Sequence, residues 1–325
     1  MSCPPLPDVL GADVAWRRSG RFDSDHGASD RIAPEGQSAA ECFELTVAGA
    51  RGDRVGGAVG LVEHEARQRR DAVREQRGRQ RRLVIGAGTA RANPYNAFAL
   101  ADRAQLADYR RFLEARGVGL EPAPTPLFED DAFAARDPDG RLAVLGVVKP
   151  GFRDVTPAEG PAAPLPGRLQ HVVVATAQLP GLMAFYRDAL GFLVSDVVHT
   201  GKEEGPPGDT NVCFLRANVE HHSFAAFRAP AAASDHHAYE TTGWGDLKLW
   251  ADHFATLAVP LWWGPGRHGA GNNLFFMVKD PDGNNLEISA ELEQLARGQP
   301  GKAWPAGGRA INLWGAVWNR DVAAD

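Results

Sequence analysis

The sequence predicts an α+β fold of repeated βαβββ modules forming two domains, with a cavity in the C-terminal domain. Three observations point there. A strand, helix and further strands beginning at His171 are echoed by the same series beginning at His237, and more faintly by residues 97–146. The turn Asp137-Pro-Asp-Gly140 of the faint copy matches Asp280-Pro-Asp-Gly283 of the last one. Both turns are flanked by short apolar segments, and Pro after Asp, then Asp and Gly, is favourable hairpin chemistry. Paired modules of this kind curl their sheets around a shared cavity, with the first strand of each at its floor.

Residues 1–84 are hard to read and stand as a degraded first module, rich in Gly, Ala, Arg and Asp without sustained alternation. The basic run Ala66–Arg82 has interspersed acids and sits in a chain of net charge −6, so it reads as a solvated helix or loose segment rather than a nucleic-acid surface. Residues 85–155 complete the N-terminal domain. Leu83–Gly86 and Ala97–Leu100 are strand-like. Ala107–Val118 has helical spacing through Tyr109, Phe112 and Leu113, with Gly117 and Gly119 to end it. Ala132–Ala135 and Leu142–Leu145 flank the first turn, and Pro-rich residues 156–168 form an interdomain linker.

Residues 169–295 read as the C-terminal domain. His171–Thr176 is β-branched and strand-like, and Gly181–Leu190 is a helix that Gly191 ends. Val212–Leu215 and Ser223–Phe227 are paired strands, while His199 and Lys202–Asp209 belong to a surface loop. The strand from His237 to Thr242 leads to an amphipathic helix, Gly245–Leu257, and then to the hairpin of Leu274–Val278 with Asn285–Ser289. Residues 296–325 are a tail whose Trp304, Leu313, Trp314 and Trp318 pack over this domain.

Composition narrows the setting. With 44% hydrophobic and 23% charged residues, the chain is an ordinary globular one, long enough at 325 residues for two cores. No basic stretch leads into an apolar core at the start, and no apolar run approaches the ~18 residues of a membrane span. Cys3, Cys42 and Cys213 are odd in number and far apart, against a disulfide framework. The expectation is a cytoplasmic protein without nucleic-acid or membrane partners.

The chemistry rests on His171, His237 and Glu287, each in a strand-like segment. Two imidazoles and a carboxylate with other positions open form the facial set that holds Fe(II) in oxygen-activating enzymes. His171 and His237 start the first strands of successive modules, and Glu287 lies four residues past the second turn. A polar side chain inside an apolar strand is costly without a partner. His221-His222 and His236-His237 are adjacent pairs, and period-two alternation lets only one of each face the cavity.

Taken together, Leu169-Gln-His171-Val-Val-Val, His221-His222-Ser-Phe-Ala-Ala, Asp235-His236-His237-Ala-Tyr-Glu, Gly264-Pro-Gly-Arg-His268-Gly and Asp280-Pro-Asp-Gly-Asn-Asn-Leu-Glu287 resemble the type I extradiol ring-cleaving dioxygenases of the vicinal oxygen chelate superfamily. The resemblance implies His171, His237 and Glu287 as iron ligands, His222 as the acid/base beside them, and His268 lining the substrate pocket. It implies Fe(II), with Mn(II) accepted by the same set, a small aromatic diol and O2 as substrates, and a homo-oligomer. The alternatives are a non-redox metal-dependent lyase or isomerase of the same superfamily, and a protein that sequesters an aromatic ligand. Met277 stands where the family usually carries a tyrosine, and Tyr239 is a candidate substitute. Trp262 and Trp263 precede the segment where enzymes for acidic catechols often carry Arg. Val144 falls where Glu287 would in the N-terminal copy, which therefore cannot hold an equivalent metal.

Overall fold

A computed structural model describes residues 42–49, 82–87, 91–150, 165, 167–200, 208–296, 298–305 and 307–315. Much of the 1–84 stretch, most of the expected linker, residues 201–207 and Trp318 lie outside the described residues. One sheet holds β1 (Cys42–Gly49), β2 (Arg82–Ala87), β3 (Tyr95–Ala99), β4 (Leu120–Pro122), β5 (Phe133–Arg136) and β6 (Leu142–Gly146), in the order β2-β1-β3-β6-β5-β4. Helix α1 (Arg103–Glu114) links β3 to β4. It starts before the expected Ala107 because the Asp102 side chain caps it, accepting from the Gln105 N–H at 2.8 Å. It stops where Gly117, at φ +70, lets the Val118 N–H turn back to the Leu113 carbonyl.

The second sheet holds β7 (Arg168–Thr176), β8 (Leu193–His199), β9 (Thr210–Arg216), β10 (Phe224–Arg228), β11 (Ala233–Thr241), β12 (Trp263–Arg267), β13 (Leu274–Lys279), β14 (Asn285–Ala290) and β15 (Lys302–Trp304). Their order is β12-β13-β14-β11-β7-β10-β9-β8-β15. Helix α2 (Leu179–Ala184) runs into a π turn at Phe185–Ala189; α3 (Trp244–Thr256) follows β11, and the short α4 (Gly308–Ile311) follows β15.

The pairing shows the repeat. The first and last strands of each module lie parallel: β1 with β2, β3 with β6, β7 with β10, β11 with β14. First strands of successive modules lie antiparallel, β1 with β3 and β7 with β11. Among the described residues there are four such parallel pairs. Strand β8 departs from the expectation: His199, expected in a surface loop, is its buried last residue. Ser195 and Asp196 interrupt the apolar run, and both are buried.

Alternation along β7 separates two environments. Val172 and Val174 join the main core with Phe98, Tyr186, Phe192, Trp250 and Phe254, while His171 faces the other way. The corresponding face of the N-terminal sheet is closed by Tyr95, Ala97, Ala134, Val144 and Phe128. Val144 pairs with Ala97 as Glu287 pairs with Ala238, so the N-terminal counterpart of the site is an apolar plug.

The first of the repeated turns also joins the two sheets. Gly140 and Gly283 take φ +85 and +82, a conformation that favours glycine. Arg141, beside the first turn, donates to the Ala175 carbonyl at the end of β7 at 2.9 Å. It pairs with Asp137 at 3.0 Å and Asp139 at 2.9 Å, and all three side chains are buried. Removing one partner of a buried pair strands the other charge. Arg141→Ala is therefore expected to lower stability by about 3–5 kcal/mol, read as a shifted denaturation midpoint.

Candidate metal centre

The register of β7, β11 and β14 decides which side chains meet. His171 pairs with Ala238, Val173 pairs with His236, and Glu287 pairs with Ala238. Paired residues share a sheet face, and so do residues two apart. His171, His236 and Glu287 therefore all project from one face. His237 pairs with Val172 and Leu286, both core residues, and projects from the other.

The register thus leaves His237 out of the group expected from the sequence, and His236 stands beside His171 and Glu287 instead. Strand β11 begins at Ala233, earlier than the sequence suggests, which makes His236 its fourth residue, as His171 is the fourth of β7. The two are mates about a pseudo-two-fold through the Val172–His237 pair. His237 is buried against Tyr239, and its Nε2 has no hydrogen-bond partner among the described residues. Burial, aided by nearby His236, pulls its pKa down to about 3.

One donor atom from each of His171, His236 and Glu287 lies within 4.8 Å of the others, and all three residues are buried. The two Nε2 atoms are 3.2 Å apart; Glu287 carboxylate oxygens lie 3.6 Å from that of His236 and 3.9 Å from that of His171. Each imidazole is oriented from behind by the residue preceding it. The Nδ1 of His171 meets the Gln170 side-chain oxygen, and that of His236 meets Asp235 Oδ2 at 2.6 Å. Gln170 is in turn fixed by donating to the His222 carbonyl at 2.8 Å. Both acceptors place the proton on Nδ1, so both Nε2 lone pairs face the carboxylate and each other. Among the described residues, Glu287 ion-pairs only with histidines, and Asn273 donates to it at 3.1 Å. Converging bare lone pairs and a buried carboxylate repel unless a cation lies between them, so this donor set fits a divalent metal.

His222 and His268 border the cluster. The His222 ring centroid is 4.3 Å from that of His171. Burial first, then His221, His268 and His236, hold the His222 pKa well below the ordinary histidine value, so the ring is a neutral base at working pH. His268 stacks on Phe275 at 3.8 Å, its Nδ1 donates to the Ile311 carbonyl, and its Nε2 lies 3.4 Å from Glu287. Met277 pairs directly with Glu287 and with Trp263, and it is buried with Trp263 and Phe275 in a small apolar cluster. Tyr239, the expected substitute for a phenol, belongs to the main core rather than to this face.

Known proteins resemble this chain in sequence and in fold. A family described as the Glyoxalase/Bleomycin resistance protein/Dioxygenase superfamily matches residues 168–288. Metapyrocatechase 2 of Cupriavidus necator is 31% identical over 235 residues, which are 67% of this chain and 69% of that protein. The chain belongs to this superfamily, among its type I extradiol dioxygenases. An iron-dependent extradiol dioxygenase of Rhodococcus jostii is 28% identical over 254 residues, covering 72% of this dioxygenase and 81% of its relative. The Mn(II)-bound glyoxalase of Novosphingobium aromaticivorans, 21% identical, shares the fold with a TM-score of 0.64 over 86% of this chain and 91% of its own. Among the described residues, no helix is long and apolar enough to cross a membrane.

Proposed function

We propose that this chain cleaves a catecholic ring beside its two hydroxyls, inserting both atoms of O2, with Fe(II) held by His171, His236 and Glu287. The observation that carries the reading is the buried facial cluster with a neutral histidine, His222, against it. Bound there, Fe(II) would supply Lewis acidity toward the diol and the means to activate O2. The protein's own groups do the rest. His222 takes a hydroxyl proton from the bound diol and returns it later to the opening ring. Asn273 and the histidines fix the carboxylate, so the cluster keeps its geometry as substrate enters. His268, held by Phe275 and Ile311, forms a rigid polar wall at the substrate edge.

Met277, Trp263 and Phe275 supply apolar surface on the same face, which favours a catechol with an apolar substituent over an acidic one. Because Met277 is already packed, Met277→Tyr is expected to overfill the cluster, costing about 1–3 kcal/mol and weakening binding of bulky catechols. Met277→Leu should be nearly neutral. Thermal melts with KM values for small and bulky catechols check both.

The proposed function is tested by anaerobic reconstitution with Fe(II), with Mn(II) in parallel, then a catechol panel in air. The expected result is the yellow ring-fission product. Metal binding with no ring-fission product from any catechol would overturn the reading.

A further inference from the structure

His222 is also the inner end of a chain of buried polar groups. Its Nδ1 lies 3.0 Å from Nδ1 of His221. His221 Nε2 lies 3.2 Å from Asp196 Oδ2 on β8, off the line of a well-aligned hydrogen bond, so the contact acts chiefly through charge. Asp196 is held by β15, accepting from the Lys302 backbone N–H at 3.1 Å and from Trp304 Nε1 at 2.7 Å. His221, His222 and Asp196 are all buried.

We propose that Asp196 and His221 are positioning residues that hold His222 as its Nδ1–H tautomer, leaving its Nε2 lone pair for the diol proton. The inference rests on the ring-cleavage reading for its purpose and on these contacts for its geometry. Between two neutral imidazoles meeting through Nδ1, one must donate. If His221 donated, its unprotonated Nε2 would sit 3.2 Å from the Asp196 carboxylate, negative potential beside negative charge. With its proton on Nε2 that contact is attractive, and His221 Nδ1 becomes the acceptor. His222 then donates through Nδ1, and its Nε2 is bare. Phe214, with ring centroids 5.7 Å from His221 and 5.0 Å from His222, keeps both rings in this arrangement.

The test is ¹⁵N-histidine NMR on the full-length protein, with signals assigned through His221→Gln and His222→Phe, beside steady-state kinetics. The expected spectrum has the proton of His222 on Nδ1 and that of His221 on Nε2, and Asp196→Asn should shift both populations. Asp196→Asn should also lower kcat about 10–100-fold with KM and metal content unchanged, the usual effect of losing a group that orients an imidazole. Asp196→Glu should recover most of the loss. Trp304→Phe removes a donor to Asp196 without touching His221 and should keep kcat. A wild-type His222 protonated on Nε2 overturns the inference whatever the activity. So does an equal loss of kcat in Trp304→Phe, which would make Asp196 a scaffold for β15. If the wild type shows these tautomers but opens no catechol, the ring-cleavage reading fails while the tautomer assignment stands.

Discussion

His236→Ala and Glu287→Ala are each expected to leave a protein that retains no iron and has no detectable ring-cleaving activity, whereas His237→Ala keeps its iron. The three positions are close in the fold, so the contrast isolates orientation. His236 and Glu287 point into one buried cluster with His171, and three donors are the minimum for tight facial binding. His237 points from the opposite face into the core. Its truncation should cost stability through a cavity, about 2–5 kcal/mol if it behaves like other large-to-small core changes, without touching the donor set. Metal analysis after anaerobic loading, paired with thermal melts, separates the effects. Iron lost with His237→Ala and kept with His236→Ala would reverse the assignment.

The His236–His237 pair shows what a sequence carries and what it hides. The repeat, both Asp-Pro-Asp-Gly turns and the hairpin before Glu287 were legible because alternation and turn chemistry are local. Choosing between His236 and His237 needed the start of β11, and a one-residue error there turns every side chain to the other face. Ser234 and Asp235 hid that start because polar residues look like loop, yet both are buried strand residues here. A usable signal was present. Gln170 precedes His171 and Asp235 precedes His236, each supplying the acceptor for the following imidazole's Nδ1. That equivalence points to His236. Strand β8 is hidden in the sequence for a related reason, since Ser195 and Asp196 break its apolar run and Asp196 finds its partners from β15 and His221, far away in sequence.

His222→Phe is expected to keep the metal and bind catechols yet turn over about 10²–10⁴-fold more slowly, the usual range for losing a general acid or base. Phenylalanine fills nearly the same space between His171 and Phe214, so the facial cluster should remain intact. It cannot accept or return a proton. Anaerobic titration with a catechol should therefore show near-normal affinity, while kcat in air collapses. His222→Ala would be a poorer probe, because a void beside His171 could let that ligand move. The decisive comparison places Asp196→Asn in the His222→Phe background. If Asp196 acts only through His222, its substitution there adds nothing to the loss in kcat; coupled residues acting as one unit are non-additive. A His222→Phe protein that loses its metal would instead make this imidazole a ligand, and the proton would need another acceptor.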